Sequence, residues 1–243
     1  MDEGNSRLKS FPTTEWSLIV RAASADPIDR ERALSEICVM YWPPVYAFIR
    51  SRGNSPHDAE DLTQGLFAEM LGRNDFAKAD ANHGKLRSYL LTAAKNHLFS
   101  VHRRDSTQKR GGEALPLSFD ALDAEARCLI PEPMDSLTPE LVYERQWAIT
   151  VMESVVMQLE MRYAEKGRAQ LFHALKPFIN AGESEASLRE LAAQLGMTYQ
   201  ALRVAIHRLR QRYGEQLVQT VKSTLGHGES VEDEIGRLMA AFG

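Results

Sequence analysis

The sequence predicts an all-α protein built from two small helical domains that are joined by an acidic linker. Apolar residues recur at three- and four-residue intervals along most of the chain, and no stretch alternates convincingly as a strand would. Acidic residues and prolines are concentrated between residues 113 and 139. The 243 residues are enough for two modest hydrophobic cores. We therefore expect domains at 11–112 and 140–222, a linker at 113–139 and an extension at 223–243.

The composition is that of an ordinary soluble globular protein, with 44% hydrophobic residues, 26% charged residues and a net charge of −4. No apolar run approaches the length that a bilayer requires, and the N-terminal segment lacks the apolar core of a signal peptide. We expect a cytoplasmic protein that has no membrane partner and no cofactor. Cys38 and Cys128 lack metal-ligand spacing, so free thiols are expected, with Cys38 buried.

Capping residues and prolines define the helices of the first domain. Pro43 and Pro44 are expected to end one helix and start another, because proline has no N–H for the helical ladder. Ser55 is a capping residue, and Pro56 fits the first helical position. The expected helices begin at Thr13 or Thr14 and then span about 29–41, 45–50, 56–72 and 85–104.

Helix 56–72 combines an apolar stripe with a polar face. The stripe consists of Ala59, Leu62, Thr63, Leu66, Phe67 and Met70. The opposite face carries acidic, amide and small residues: His57, Asp61, Gln64, Gly65 and Ala68. Such a face admits close approach by another helix, preferably a basic one. A solvated helix face is the alternative.

Helix 85–104 has an aromatic residue among basic ones. We expect Leu86, Tyr89, Leu90, Ala93 and His97 to pack inward. The expected outer face consists of Lys85, Ser88, Thr92, Lys95, Asn96, Phe99 and Arg103. An exposed phenylalanine among cations is typical of a platform on which an unpaired base stacks. In the alternative interpretation, Phe99 packs under the linker.

The second domain contains a helix-turn-helix pattern. Helices are expected from about Pro139 and around 169–179, before a further helix capped by Ser187, with Glu190 completing the capping box. Gly196 fits a sharp turn, and Thr198 fits the cap of the next helix. That helix has an apolar back formed by Leu202, Ile206, Leu209 and Tyr213. Its opposite face carries Gln200, Arg203, His207 and Arg210, flanked by Arg208 and Arg212. This pattern is typical of a DNA recognition helix, and a solvated basic helix is the alternative.

The C-terminal segment 229–243 is expected to form a short amphipathic helix that Ser230 caps, with Glu232, Asp233 and Glu234 in its first turn. A helix this short needs a surface on which to bury its apolar stripe. It packs either permanently on the second domain or reversibly between the domains, with its acids near Arg203 or Arg210.

Three segments together resemble the sigma-70 family, in its extracytoplasmic-function (ECF) type. YWPPVYAFIRSRGNSPHDAEDLTQGLFAEML (41–71) is similar to regions 2.1–2.2, and LRSYLLTAAKNHLFSVHRRDSTQKR (86–110) is similar to regions 2.3 and 2.4. LRELAAQLGMTYQALRVAIHRLRQRY (188–213) is similar to region 4.2. The opening FPTTEWSLI and the C-terminal extension resemble a longer variant of this type.

The resemblance implies a promoter-reading protein whose partners are promoter DNA and core RNA polymerase, at the β′ clamp and the β flap. The residues implied in polymerase binding are Asp58, Asp61 and Gln64. Those implied at the minus-ten element are Lys95, Asn96, Phe99, Arg103 and Arg104. Those implied at the minus-thirty-five element are Thr198, Gln200, Arg203, His207, Arg208 and Arg210. An anti-sigma or other regulatory protein is a further partner that the resemblance leaves open.

Three departures and three alternatives accompany the resemblance. Ala205 stands where region 4.2 usually carries arginine, and segment 140–182 is longer than a minimal region 4.1. The tail after Gly226 is an extra amphipathic helix. A helix-turn-helix regulator that acts without polymerase is one alternative, and an adaptor that binds polymerase without reading DNA is another. An enzyme is disfavoured, because the sequence has no HExxH pattern, no Cys/His ligand grouping and no glycine-rich phosphate loop.

Overall fold

A computed structural model describes residues 15–22, 24, 26–73, 85–107, 137–180, 184–225 and 228–242. Within these ranges every regular element is a helix, which confirms the predicted all-α class. The predicted linker lies almost wholly outside them, and Thr13, Thr14 and Cys128 lie outside them as well.

The helices follow one another in a simple order. The first four are α1 (Glu15–Ala22), α2 (Pro27–Ser51), α3 (Pro56–Gly72) and α4 (Leu86–Thr107). They are followed by α5 (Pro139–Glu165), by α6 (Ala169–Leu175) and by a 3₁₀ turn (Lys176–Ile179). The last three are α7 (Glu185–Gln194), α8 (Tyr199–Thr224) and α9 (Val231–Ala240).

The chain divides into two compact units. The N-terminal unit comprises, among the described residues, 15–150 together with 221–242, and the helix-turn-helix unit comprises 151–220. These bounds differ from the sequence-based division, which placed 140–150 and 223–243 outside the first domain. The first turns of α5 and the whole of α9 belong with the N-terminal unit, because their side chains form part of its core and its buried ion pairs.

Helix α2 continues through Pro43 and Pro44, so the predicted break between residues 41 and 45 is wrong. An internal proline costs about 3 kcal/mol in a helix. Packing outweighs that cost, because Tyr46, Phe48 and Ile49 are fully buried and such side chains each contribute about 1.5–3 kcal/mol. The helix ends where Gly53 takes a φ of 88° and the Asn54 amide donates to the Ile49 carbonyl at 2.8 Å.

Local sequence signals define α3 as predicted. Ser55 is its N-cap and accepts a hydrogen bond from the Asp58 backbone N–H at 3.1 Å, and Pro56 is its first residue. The predicted stripe is buried except at Leu62, which is half-buried. In α4, Leu86 and Leu90 are buried as expected, whereas Tyr89, Ala93 and His97 are half-buried.

The core of the N-terminal unit includes an aromatic cluster to which α5 contributes. Tyr143 meets the Phe48 ring edge-on at 6.5 Å, and its hydroxyl donates to the Arg87 carbonyl at 2.9 Å. Trp147 is 1% exposed and lies under the Arg87 guanidinium, with 4.1 Å between Cζ and the ring centroid. Cys38 is a buried free thiol, as predicted, and burial raises its pKa to about 12.

The helix-turn-helix unit has the predicted turn but an earlier start. Ser184, rather than Ser187, caps α7, and its Oγ accepts from the Ser187 N–H at 3.3 Å. The earlier start adds a helical turn in which Arg189 pairs with Glu185 at 2.7 Å. Gly196 adopts a φ of 63°, and the Thr198 hydroxyl accepts from the Ala201 N–H at 3.1 Å, so both predictions are confirmed.

None of the helices in the described part of the chain combines the length and the apolar character that crossing a membrane requires.

Candidate nucleic-acid interfaces

The polar face predicted on α3 is largely accessible. Asp58 and Asp61 are exposed, with 63% of the Asp61 side chain accessible, and Gln64 is half-buried. Asp58 also accepts from the Ser55 hydroxyl at 2.6 Å, so it takes part in the helix cap. Among the residues that the structure describes, the ion-pair partner of Asp61 is the His57 imidazole, at 3.8 Å. The face therefore presents two acidic side chains to a partner.

Gly65, which was expected on that open face, lies against α4 instead. A Cβ atom at Gly65 would stand 3.5 Å from the His97 Nε2 atom, which is an ordinary van der Waals distance, so Gly65 lies close to α4. On the other side of the ring, His97 Nδ1 lies 2.8 Å from a Glu69 carboxylate oxygen. Glu69 also pairs with Arg73 at 2.6 Å. This chain of contacts fixes the rotation of α4 and thereby the direction of the residues beside His97.

The outer face of α4 carries an exposed aromatic ring. Phe99 has 70% of its surface accessible, and Asn96 and Arg103 are also exposed. The exposure of the Phe99 ring does not favour the alternative in which this ring packs under the linker. The side chain of Arg104, the last residue predicted for this face, lies outside the described part of the structure. An accessible ring between an amide and a guanidinium can stack on an unpaired base.

Lys95, on the same face, has a partner that the sequence did not indicate. Its ammonium lies 2.8 Å from a carboxylate oxygen of Glu140, in the first turn of α5. This hydrogen bond is the main reason why the pKa of Glu140 lies below its ordinary value. Both side chains are about 45% exposed, so solvent screens the pair. A phosphate group would compete with Glu140 for Lys95.

The residues at the start of α4 are buried, so the prediction that Lys85 lies on the outer face is wrong. Lys85 and Arg87 are 8% and 5% exposed, and both form ion pairs with Glu234 of α9, which is 1% exposed. Arg87 also lies 3.1 Å from Glu144, and Lys85 lies 3.7 Å from Glu229. Burial, and then the nearby Arg87 charge, lower the pKa of Lys85.

The tail helix α9 therefore packs within the N-terminal unit. Ser230 caps it as predicted and accepts from the Asp233 N–H at 3.2 Å. Glu234 pairs with Lys85 and Arg87, so the expected permanent packing of this helix on the second domain is wrong. The reason is that a carboxylate and two cations neutralise each other in a buried site. The alternative, reversible docking between the domains, stays a prediction.

The polar face of α8 is exposed in the helix-turn-helix unit. Its apolar back is buried at Leu202, Ile206 and Leu209. The accessible residues are Gln200, Arg203, His207, Arg208 and Arg210, and Thr198 is exposed at the helix cap. Arg210 also donates through Nε to the Phe178 carbonyl at 2.8 Å. Ala205, where the resembling family usually has arginine, is half-buried.

Tyr199 is a further residue of this surface that the sequence analysis missed. The guanidinium of Arg203 lies 5.8 Å from the centre of its ring, and that of Arg189 lies 5.6 Å from the same centre. The sequence did contain a signal for this role, because Tyr199 is an aromatic residue at the first position of a basic helix. These cation–π contacts orient Arg203 at the start of α8.

A helical protein with an exposed phenylalanine among amide and basic side chains and a basic helix-turn-helix surface has features typical of DNA-binding proteins. Residues 39–108 match the family model of sigma-70 region 2. The match spans the second half of α2 and all of α3 and α4, which carry the first two candidate surfaces. It supports a relationship to the sigma-70 family.

The curated proteins and the solved structures contain no match to this chain. Within the described ranges, no group of three or more histidine, cysteine or acidic side chains is arranged to hold a metal ion.

Proposed function

We propose that the protein is an ECF-type sigma factor that directs RNA polymerase to specific promoters and starts transcription there. The region 2 match over 39–108, in a unit where Phe99 is 70% exposed beside Asn96, is the observation that carries the proposal. In this proposal the N-terminal unit has the role of sigma region 2, and the helix-turn-helix unit has the role of region 4. The acidic segment between them passes through polymerase channels that nucleic acid otherwise occupies.

Docking on core polymerase would use the polar face of α3. Asp61 is the most suitable anchor, because its carboxylate is accessible and lies 3.8 Å from a single histidine. Asp58 and Gln64 flank it one turn away on either side. A basic helix, such as one of the β′ clamp, complements these charges, and charge complementarity sets both the rate and the register of docking. The β flap is the partner we propose for the helix-turn-helix unit.

Promoter opening would use the outer face of α4. Phe99 offers a ring on which an unpaired minus-ten base stacks, and Asn96 offers an amide that hydrogen-bonds to base edges. Lys95, Arg103 and Arg104 would contact backbone phosphates. Because His97 of α4 lies 2.8 Å from the Glu69 carboxylate of α3, polymerase docking and strand capture would use two helices that contact each other directly.

Reading of the minus-thirty-five element would use α8. Its exposed residues from Gln200 to Arg210 would enter the major groove, where Arg203 and Gln200 suit guanine and adenine edges respectively. Thr198 and Arg208 would contact the backbone. The half-buried Ala205 offers no base-reading group, so we expect specificity to rest mainly on Gln200, Arg203 and His207.

The decisive experiment is transcription in vitro with core polymerase and a promoter selected from random sequence. We expect specific transcripts that require the protein. Asp61→Arg should weaken core binding by at least tenfold, because reversing a charge in a docking surface leaves the partner's charge unpaired. Glu31→Arg is the matched control, since Glu31 is an exposed acid of α2 in the same unit, and it should bind core as the wild type does.

A regulator that acts without polymerase would behave differently in the same assay. It would bind duplex DNA through α8, yet it would neither bind core polymerase nor respond to Asp61→Arg. That combination of results would replace the sigma-factor proposal with the regulator. An adaptor would bind core polymerase normally after Arg203→Ala and would select no promoter sequence.

A further inference from the structure

The helix-turn-helix unit contains a basic pocket that none of the proposed DNA or polymerase contacts uses. The pocket has a volume of about 170 Å³ and lies between the last turns of α5, the turn that follows them and the middle of α8. Its lining consists of Leu159, Arg162, Tyr163, Lys166, Arg168 and Arg212. Four of these six side chains are cations, and none is an acid.

The four cations of the pocket have no carboxylate partner among the residues that the structure describes. The side-chain ion pairs of this unit join His173 to Glu160 at 3.5 Å and Arg189 to Glu185 at 2.7 Å, and neither pair involves the pocket. Basic side chains often cluster near a helix C-terminus, where they offset the negative end of the dipole. That explanation fits Arg162, Lys166 and Arg168, which lie at or just after the C-terminus of α5, but not Arg212, which α8 brings to the same pocket.

Arg212 is held in place from inside the unit. Its Nη1 donates to the Tyr163 hydroxyl at 3.0 Å, and its Cζ lies 5.7 Å from the centre of the Tyr163 ring. Tyr163 is 7% exposed and packs against Phe172 with 5.3 Å between the ring centres. The guanidinium is therefore preorganised at the wall of the pocket by a neutral partner, and its charge is not neutralised there.

The pocket lies away from the proposed base-reading residues of α8. At about 100° per residue, Arg212 lies about 180° from Arg203 and about 140° from His207 around the helix, and about 40° from Arg208, which would contact the DNA backbone. A duplex whose bases are read by Arg203 and His207 therefore leaves the pocket open to a separate ligand.

We propose that this pocket binds a small phosphate-bearing anion, such as inorganic pyrophosphate or the phosphate groups of a nucleotide. Arginine guanidinium groups recognise phosphate oxygens through paired hydrogen bonds, and three arginines line this pocket together with one lysine. A concave site of this volume accepts one or two phosphate groups and is too small for a folded partner. Bound anion would connect α5, the turn after it and α8, and would thereby stiffen the unit that carries the recognition helix.

The test is isothermal titration of the full-length protein with pyrophosphate at about 0.15 M salt, which suppresses weak surface binding. The variant Lys166→Ala/Arg168→Ala removes two exposed pocket cations, and neither the Arg168 side chain nor that of Lys166 has a capping role at α6. We expect pyrophosphate to bind the wild type and to bind this variant at least tenfold more weakly. Arg203→Ala, which removes a cation from the opposite face of α8, is the matched control and should leave pyrophosphate affinity unchanged.

Two further measurements make the outcome decisive. Thermal unfolding verifies that the double variant remains folded, and a selected promoter duplex is added as competitor. Pyrophosphate binding that persists beside bound duplex supports a separate pocket. The proposal is overturned if pyrophosphate fails to bind at millimolar concentration, if the duplex displaces it, or if Arg203→Ala weakens it as much as the pocket variant does. Displacement by an acidic peptide at lower concentration than by pyrophosphate would also overturn it, in favour of a protein ligand.

Discussion

Two parts of helix α4 carry basic side chains, and the structure uses them in opposite ways. At its start, Lys85 and Arg87 are buried and share the carboxylate of Glu234. In its later turns, Asn96, Phe99 and Arg103 are exposed, and Lys95 holds only a solvent-screened pair with Glu140. Each part receives an acid from a distant segment, Glu234 in the first and Glu140 in the second. What differs is the burial of the ion pair, which is almost complete at Glu234 and slight at Glu140.

The difference shows that a run of basic residues is not by itself a DNA surface. The cations at the start of α4 stabilise the fold by attaching α9 to the N-terminal unit, and their burial prevents any contact with phosphate. Those of the later turns, Lys95 and Arg103, are exposed and accessible to a ligand. Removing a partner should therefore affect stability at the first site and nucleic-acid binding at the second.

Glu234→Ala is expected to have the largest effect. It leaves two buried cations without their shared carboxylate, and breaking a buried pair in this way costs about 3–5 kcal/mol. Glu144 and Glu229 remain near Arg87 and Lys85, so we expect a value toward the lower end of that range. Urea unfolding, followed by tryptophan fluorescence, measures the loss of free energy.

The matched control is Glu232→Gln, which changes an exposed acid two residues away on the same helix. It should alter the free energy of unfolding by no more than about 0.5 kcal/mol. Deleting residues 229–243 should destabilise at least as much as Glu234→Ala, because it also removes the buried Leu238 side chain. Equal stability of wild type and Glu234→Ala would show that the ion pairs contribute nothing to attaching α9.

Local signals made part of this architecture predictable. Ser55 followed by Pro56 determined the start of α3, and Gly196 marked the turn before α8. Each of these features depends on a few neighbouring residues, so the sequence contains all of the relevant chemistry.

Features that depend on distant residues were not predictable in the same way. Glu234 lies 149 residues from Lys85, and no spacing rule connects them. The continuation of α2 through Pro43 and Pro44 likewise depends on tertiary packing that outweighs a local preference. For the candidate surfaces, periodicity identified the exposed Phe99 and Arg203, but it could not distinguish the buried Lys85 from the exposed Asn96 on the same predicted face.

Phe99→Ala tests whether the exposed part of α4 contributes to promoter opening and not to stability. Because the ring is 70% exposed, the free energy of unfolding should change by no more than about 0.5 kcal/mol. Loss of stacking on an unpaired base is worth about 1–3 kcal/mol, which corresponds to a reduction of roughly 5- to 150-fold in open-complex formation. Permanganate reactivity of promoter thymines measures the opening, and duplex binding measured in parallel should be little changed.

Asn96→Ala should show the same pattern with a smaller loss, since one hydrogen bond to a base is removed instead of a stacking surface. Normal opening by both variants would refute the stacking role. A large loss of stability in Phe99→Ala would instead show that Phe99 supports the fold, as Lys85 and Arg87 do at the start of α4.

Glu140→Gln should have the smallest effect and tests the Lys95 pair directly. The pKa of Glu140 lies below its ordinary value of 4.5, mainly because Lys95 donates a hydrogen bond to it. The pair therefore stabilises the folded state fully above pH 4.5, and this contribution is lost as the pH falls through the lowered pKa of Glu140. Both side chains are well exposed, so we expect a difference below about 1 kcal/mol between wild type and Glu140→Gln at pH 7, which shrinks in more acidic solution. In Glu140→Gln, Lys95 no longer has a competing carboxylate, so the variant should bind single-stranded minus-ten DNA more tightly than the wild type at low salt. The control is the same substitution in a Lys95→Met background, where this gain in affinity should disappear. If Glu140→Gln instead destabilises the protein as much as Glu234→Ala, then Lys95 is a structural cation like Lys85, and the division of α4 into a structural start and a DNA-binding remainder is wrong.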